Sequence, residues 1–205
     1  MVVGSGVARR RAVFLDRDGV LVVPEVRDGR SFAPQRLEDL HLYPEAKAAL
    51  DRLQDSGYLL VVVTNQPDVG KGLISRFTME QMHKRLLQEL PIDRIEVCCH
   101  IQTEDCTCRK PKPGMLLNAA YECGIDLKNS FMVGDRASDV DAGFAVGCKT
   151  IFIDLGYAGE KKPESFSHCA RSIAEAVDII LHDQQLKRGG LLHATHRKSE
   201  DKDFC

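Results

Sequence analysis

Phe14-Leu15-Asp16-Arg17-Asp18-Gly19-Val20 is the stretch whose reading decides the fold. Val13, Phe14 and Leu15 form a short apolar run, the mark of a strand buried on both faces. The run leads straight into two acids. Side chains two apart on a strand point to one side, so Asp16 and Asp18 can share a site. In α/β proteins ligands bind outside the carboxyl ends of parallel strands, and this spacing sets two carboxylates there. The same letters would also serve a plain turn, with Gly19 as its turn residue. What ends the other strands decides between the two.

Leu59 to Val63 is a continuous apolar run that stops at Thr64-Asn65-Gln66-Pro67. Phe131-Met132-Val133 ends in Gly134-Asp135. Shorter strands are predicted over 94–98, over 150–153 and near Ala170. Helical patterns fill the gaps. Pro44 opens one with Ala46, Ala49, Leu50 and Leu53 on its apolar face and Gly57 as its stop. Thr78 to Gln81 reads as a capping box before Met82, Leu86, Leu87 and Leu90. Leu116, Leu117, Ala120 and Tyr121 mark a third helix, a fourth follows Asp135 to about Val146, and a last one runs from Ile173 to about Gln184. Strands alternating with helices predict a three-layer, Rossmann-like, doubly wound parallel sheet. Its carboxyl edge would collect Asp16, Asp18, Thr64, Asn65 and Asp135. The segment 21–43, with Pro24, Gly29 and Pro34, reads as a flap beside that edge. No large cap domain is expected. The domain is expected over 12–185, after an extension over 1–11. Residues 186–205, rich in Lys, Arg, His and Gly, are expected to be a disordered tail.

At 205 residues and 43% hydrophobic content, one domain with a real core is expected. A net charge of -2 argues against a general nucleic-acid binder. No apolar run of about 18 residues points to a membrane span. Met1 to Arg11 lacks the basic-then-apolar order of a signal peptide. The expectation is a cytoplasmic protein that acts on a small phosphorylated molecule, with no nucleic-acid or membrane partner; a monomer is compatible with this. Eight cysteines then need a reason other than disulfides. Cys98, His100, Cys106 and Cys108 offer three thiolates and an imidazole within eleven residues, a tetrahedral set for structural zinc. Cys99 competes with Cys98 for the first place, although strand alternation favours Cys98 with His100.

The acids at the strand ends suggest phosphoryl transfer. Asp16 can attack phosphorus and split one hard displacement into two. Asp16 and Asp135 offer hard oxygen ligands to Mg²⁺. Thr64 can donate its hydroxyl to a phosphoryl oxygen, and Lys110 can add a point charge. Asp18 can protonate the leaving oxygen and then activate water. Asp139 and Asp141 read as a solvated helix face.

Four stretches, Phe-Leu-Asp16-Arg-Asp18-Gly, Val-Val-Thr64-Asn65-Gln66, Cys-Arg109-Lys110-Pro-Lys-Pro-Gly-Met and Met-Val-Gly-Asp135-Arg-Ala-Ser-Asp139, resemble the motifs of haloacid-dehalogenase-like phosphatases. The branch they resemble holds the heptose bisphosphate and histidinol-phosphate phosphatases. The resemblance implies Asp16 as nucleophile and Asp18 as acid/base. It implies magnesium held by Asp16, Asp135 and the Asp18 carbonyl, with Thr64 and Lys110 stabilising the phosphoryl group. It further implies substrate contacts from Pro24, Glu25, Val26 and Arg27, from Thr64, Asn65, Gln66 and Pro67, and from Arg109, Lys110 and Arg136. Arg136 stands where heptose members often carry Lys, and Pro67-Asp68 replace a small residue and Gly. A heptose 1,7-bisphosphate is the first expected substrate. Histidinol phosphate, another small sugar phosphate, a nucleic-acid 3′-phosphate, or no catalysis at all in a zinc-bearing binding module are the alternatives.

Overall fold

Ala12–Leu15 (β1) is buried at all four positions and pairs in parallel on both sides. A computed structural model describes residues 9–196. After β1 come β2 (Glu25–Arg27), β3 (Arg30–Phe32), α1 (Ala46–Asp55), β4 (Leu59–Asn65), α2 (Pro67–Gly70) and α3 (Arg76–Glu89). The chain continues through β5 (Arg94–Cys98), α4 (Gly114–Cys123), β6 (Phe131–Gly134), α5 (Ala137–Ala145), β7 (Lys149–Ile153), β8 (His168–Ala170) and α6 (Ile173–His196). The main sheet has the order β5-β4-β1-β6-β7-β8, and every neighbouring pair in it is parallel. The chain adds β4 and β5 on one side of β1, then β6, β7 and β8 on the other. The order therefore reverses at β1, the place where open α/β sheets bind ligands.

Alternation along β1 divides the core. Val13 and Leu15 pack with Leu50 of α1, Leu86 of α3 and Val177 of α6. Ala12 and Phe14 pack with Met115 and Leu116 of α4 and Ala142 of α5. Both faces are thus dry, which is why the strands read as unbroken apolar runs rather than as alternation. Gly143 of α5 lies so close to the sheet that a β-carbon there would meet the Met132 Cβ at 2.5 Å.

Part of the expected flap is a hairpin. Asp28 and Gly29 both have positive φ, at 49° and 72°, and Arg27 pairs with Arg30 across them. An Asp-Gly pair in that conformation makes the two-residue turn whose twist suits a hairpin. Other boundaries differ from the sequence reading. The α3 helix starts at Arg76 because Ser75, in an extended conformation, caps it by accepting from the Thr78 amide; Thr78 is inside the helix. The α6 helix runs past Gln184 to His196, so 186–196 is helical where a disordered tail was expected. Leu186, Lys187 and Arg188 are favourable helix residues, and extending a formed helix needs no new nucleus. The remainder of the expected tail, 197–205, and most of the N-terminal extension, 1–8, lie outside the described residues. Among the described residues no helix is long and apolar enough to cross a membrane.

Candidate active site

The carboxyl ends of β1, β4 and β6 bring Asp16, Thr64 and Asp135 together. The Asp16 amide bonds to the Val133 carbonyl at 2.9 Å, so the ladder between β1 and β6 extends to the first acid. Lys110 arrives from the loop after β5 and is 3% exposed. Its Nζ lies 2.8 Å from Asp16 Oδ1 and 2.7 Å from the Val63 carbonyl. It also lies 2.7 Å from Asp139 Oδ1 as a close ion pair. Asn65 holds the lysine's backbone from both sides: its amide donates to the Lys110 carbonyl and its carbonyl accepts from the Lys110 amide, each at 3.1 Å. Burial disfavours the Lys110 ammonium, but attraction to Asp139 and Asp16 outweighs this and lifts its pKa to about 12.

Asp139 corrects the sequence reading. It is 1% exposed, whereas Asp141 faces solvent as expected. Its Oδ2 accepts from the Arg136 amide at 3.0 Å and caps α5. Burial, partly offset by Lys110, raises its pKa to about 6. The sequence signal for this role was available: an Asp three places after the residue that caps a helix.

Three carboxylates, Asp16, Asp135 and Asp139, offer oxygens within 4.8 Å of one another. Lys110 is the cation seated between Asp16 and Asp139. Both carboxylate oxygens of Asp135 are buried with no hydrogen-bond partner, and burial, followed by the charges of Asp16 and Asp139, pushes its pKa well up. Buried acceptors are normally satisfied, so this arrangement fits a hard divalent cation bound by oxygen. Gly19 makes room for the Asp135 carboxylate. Its φ is +85°, and a β-carbon there would lie 2.1 Å from Asp135 Oδ2.

Asp18 sits beside this cluster in a second network. Arg17, fully buried, donates from Nη2 to Asp18 Oδ2 at 3.0 Å and to Gln66 Oε1 at 2.9 Å. Gln66 Nε2 donates to Asp18 Oδ2 and to Thr64 Oγ1, both at 2.9 Å. His83 of α3 lies with Nε2 3.4 Å from Arg17 Nη1; burial, then the Arg17 charge, holds its pKa down at about 4.

A cleft of about 750 Å³ opens over Asp16 and Asp18. Asn65, Gln66, Pro67, Arg109, Lys110 and Arg136 line it. Pro24, Glu25, Val26 and Arg27 do not: Pro24 is buried, and Glu25–Arg27 are exposed on β2. The hairpin's cleft wall is instead Arg30, Ser31, Phe32 and Ala33. The turn at Asp28-Gly29 sets the second strand of the flap, rather than the first, against the cleft. Arg136 Nη2 is engaged with the Ser31 carbonyl and hydroxyl, each at 2.6 Å, and with Glu160 Oε1 at 3.2 Å. It ties the hairpin to the segment after β7.

The loop that delivers Arg109 and Lys110 carries the cysteine–histidine set. Ligand atoms of Cys98, His100, Cys106 and Cys108 lie within 4.8 Å of one another. Cys108 Sγ is 3.1 Å from Cys98 Sγ and 3.3 Å from His100 Nδ1. Thiols this crowded and unbonded fit a shared cation. Cys99 points elsewhere, 3.7 Å from Met79 Sδ, so Cys98 is the member of the cluster. Arg109 Nη1 donates to the His100 carbonyl at 3.2 Å, which couples the cluster to the cleft wall.

A HAD-hydrolase-like family matches residues 107–178. A Helicobacter pylori D-glycero-beta-D-manno-heptose-1,7-bisphosphate 7-phosphatase is 34% identical over 180 residues, 85% of this chain and 99% of that protein. The enzyme of the same name from Vibrio cholerae is 41% identical over 157 residues, 68% of this chain and 78% of the other. Among solved structures, D,D-heptose 1,7-bisphosphate phosphatase from B. bronchiseptica, complexed with magnesium and phosphate, superposes with a TM-score of 0.72. It is 27% identical and covers 84% of this chain and 99% of its own.

Proposed function

This chain belongs to the HAD-like hydrolase superfamily, and on that premise we propose that it is a magnesium-dependent phosphomonoesterase that removes the 7-phosphate of a heptose 1,7-bisphosphate. The observation that carries the reading is Asp135, whose two oxygens are buried without partners beside Asp16. A cation site of this kind against a candidate nucleophile, under a cleft lined by Arg30 and Arg109, suits an anionic phosphate ester.

Asp16 attacks phosphorus in line, and the bond to the leaving sugar oxygen breaks as the new P–O bond forms. Asp18 gives its proton to that oxygen. In the second step Asp18 takes a proton from water, the water oxygen attacks phosphorus, and the aspartyl–phosphorus bond breaks to release inorganic phosphate and restore Asp16. Thr64 donates to a phosphoryl oxygen, and Lys110, whose three N–H groups serve Asp16, Asp139 and the Val63 carbonyl, supplies positive charge beside the group in transfer. Lys110 also orients Asp16 through its contact with Oδ1. Asp16, Asp135 and the Asp18 carbonyl would hold magnesium, which screens the repulsion between a carboxylate nucleophile and an anionic ester.

The cysteine–histidine set suits tetrahedral zinc in a closed, structural site. Its work would be to fix the loop that carries Arg109 and Lys110. Arg109 and Arg30 supply the cations for a second phosphate, and Arg136, committed to Ser31 and Glu160, holds the hairpin that presents Arg30. Similarity to the heptose bisphosphatases of Helicobacter pylori and Vibrio cholerae supports this substrate. Histidinol phosphate would bring an ammonium to the same cations and be repelled.

The test is a side-by-side assay of the two substrates at saturating magnesium. The heptose bisphosphate should have a kcat/KM at least about tenfold higher, roughly 1.4 kcal/mol in transition-state binding. A higher value for histidinol phosphate overturns the substrate assignment.

A further inference from the structure

Arg17 and Gln66 stand between the reacting groups without a chemical step of their own. Arg17 is wholly shielded from solvent, and Gln66 is 1% exposed. Burying a guanidinium is costly unless its donors are matched. Here Nε lies 3.1 Å from Asp18 Oδ1 and 3.2 Å from Oδ2, Nη2 serves Asp18 and Gln66, and Nη1 faces His83. His83 is neutral above about pH 4, so it receives Arg17 as an acceptor instead of repelling it. The backbone is fixed as well: the Arg17 carbonyl accepts from the Leu21 and Val22 amides, each at 2.9 Å.

The Gln66 amide has one workable orientation. Its carbonyl must accept from Arg17, so its two N–H groups go to Asp18 Oδ2 and Thr64 Oγ1. Two consequences follow for the reacting groups. First, a Thr64 oxygen that already accepts from Gln66 turns its own proton away from that amide. Second, the two oxygens of Asp18 are unequal. Oδ2 receives Arg17 Nη2, Arg17 Nε and Gln66 Nε2, whereas Oδ1 shares only Arg17 Nε. A proton on Oδ2 would point at donors.

We propose that Arg17 and Gln66 are positioning residues that confine the transferred proton to Oδ1 of Asp18 and set the direction of the Thr64 hydroxyl. The inference rests on the assignment of Asp18 as proton donor. It predicts a loss that depends on the leaving group, because protonation matters for an alkoxide and little for a stabilised phenolate. A residue needed only for folding would lower turnover of both esters alike.

The experiment compares kcat/KM for p-nitrophenyl phosphate with that for the sugar phosphate the wild type turns over best, at saturating magnesium. Arg17→Lys and Gln66→Met should each cost the sugar phosphate at least about tenfold more than the aryl ester. Asp18→Asn, the control, should widen the ratio at least as far. If Asp18→Asn leaves the ratio unchanged, the donor assignment fails and the positioning role falls with it. If Asp18→Asn widens the ratio but Gln66→Met and Arg17→Lys lower both esters in proportion, or neither, the positioning role is overturned and the donor assignment stands. Should Arg17→Lys not fold, Gln66→Met, which buries no new charge, decides alone.

Discussion

Replacing Lys110 by Met should cost about 3 to 5 kcal/mol of stability at pH 7.5, the range for stranding the partners of a buried ion pair. The wild-type lysine makes two contacts, at 2.8 Å to Asp16 and 2.7 Å to Asp139. At an effective dielectric of about 20 each is worth roughly 6 kcal/mol before desolvation, and desolvating the ions takes back several kcal/mol apiece. The rise of the Lys110 pKa from 10.5 to about 12 reflects the same two attractions and has the same sign, on the order of 2 kcal/mol for its charged form. That contribution is complete below pH 10.5 and is lost only as pH climbs through about 12, so it is fully present at pH 7.5. In the variant, Asp139 loses the charge that restrains its pKa and moves above the value of about 6 it has beside the lysine. A carboxyl whose folded pKa exceeds its unfolded one gains stability as pH falls toward the unfolded value. The deficit of Lys110→Met should therefore shrink by at least about 1 kcal/mol between pH 7.5 and 5.5. Urea melts of both proteins at the two pH values, without added metal, measure it. A deficit under about 1 kcal/mol at pH 7.5, or one indifferent to pH, would refute the reasoning.

Asp16→Asn keeps the shape of the nucleophile and removes its charge, so kcat should drop at least about 10³-fold; a clean preparation with near-normal turnover sinks the mechanism. Elemental analysis should find about one zinc per chain, and Cys106→Ser should lower both the zinc content and the melting temperature. The expected drop is at least about 5 °C, since roughly 1 kcal/mol moves a domain of this size by about 2–4 °C; a zinc-free protein of full stability would rule the site out.

The layered sheet was legible because burial on both faces writes itself as unbroken apolar runs. Val13–Leu15, Leu59–Val63 and Phe131–Val133 needed no context, and each is followed by the polar residues that a strand's open end can carry. The hairpin was harder. Its strands are three residues each and mostly exposed, so no hydrophobic period marks them, and Asp28-Gly29 is the local signal. Helix ends misled where two signals competed. Thr78 and Ser75 both look like caps, and an extended backbone at Ser75 settles the start of α3.

Within the site, legibility followed isolation. Asp16, Thr64 and Asp135 each follow closely on an apolar strand run, where a polar residue asks for a reason; Lys110 lies in the loop between β5 and α4, and only its motif marks it. Asp139 was misread because a helix's first turn gives any acid a sufficient reason to be there, through the helix dipole; only the arrival of Lys110 from a distant loop shows that it is buried and paired. Arg17 carried still less signal, since it looks like a surface cation, and the motif marked Gln66 only as a substrate contact. Their roles exist only in the closed set of donors and acceptors that joins β1, β4 and α3. Arg17 and Gln66 each have a near neighbour in the chain among their partners, Asp18 and Thr64, but the set closes only where β1, β4 and α3 meet, and that closure cannot be read along the chain.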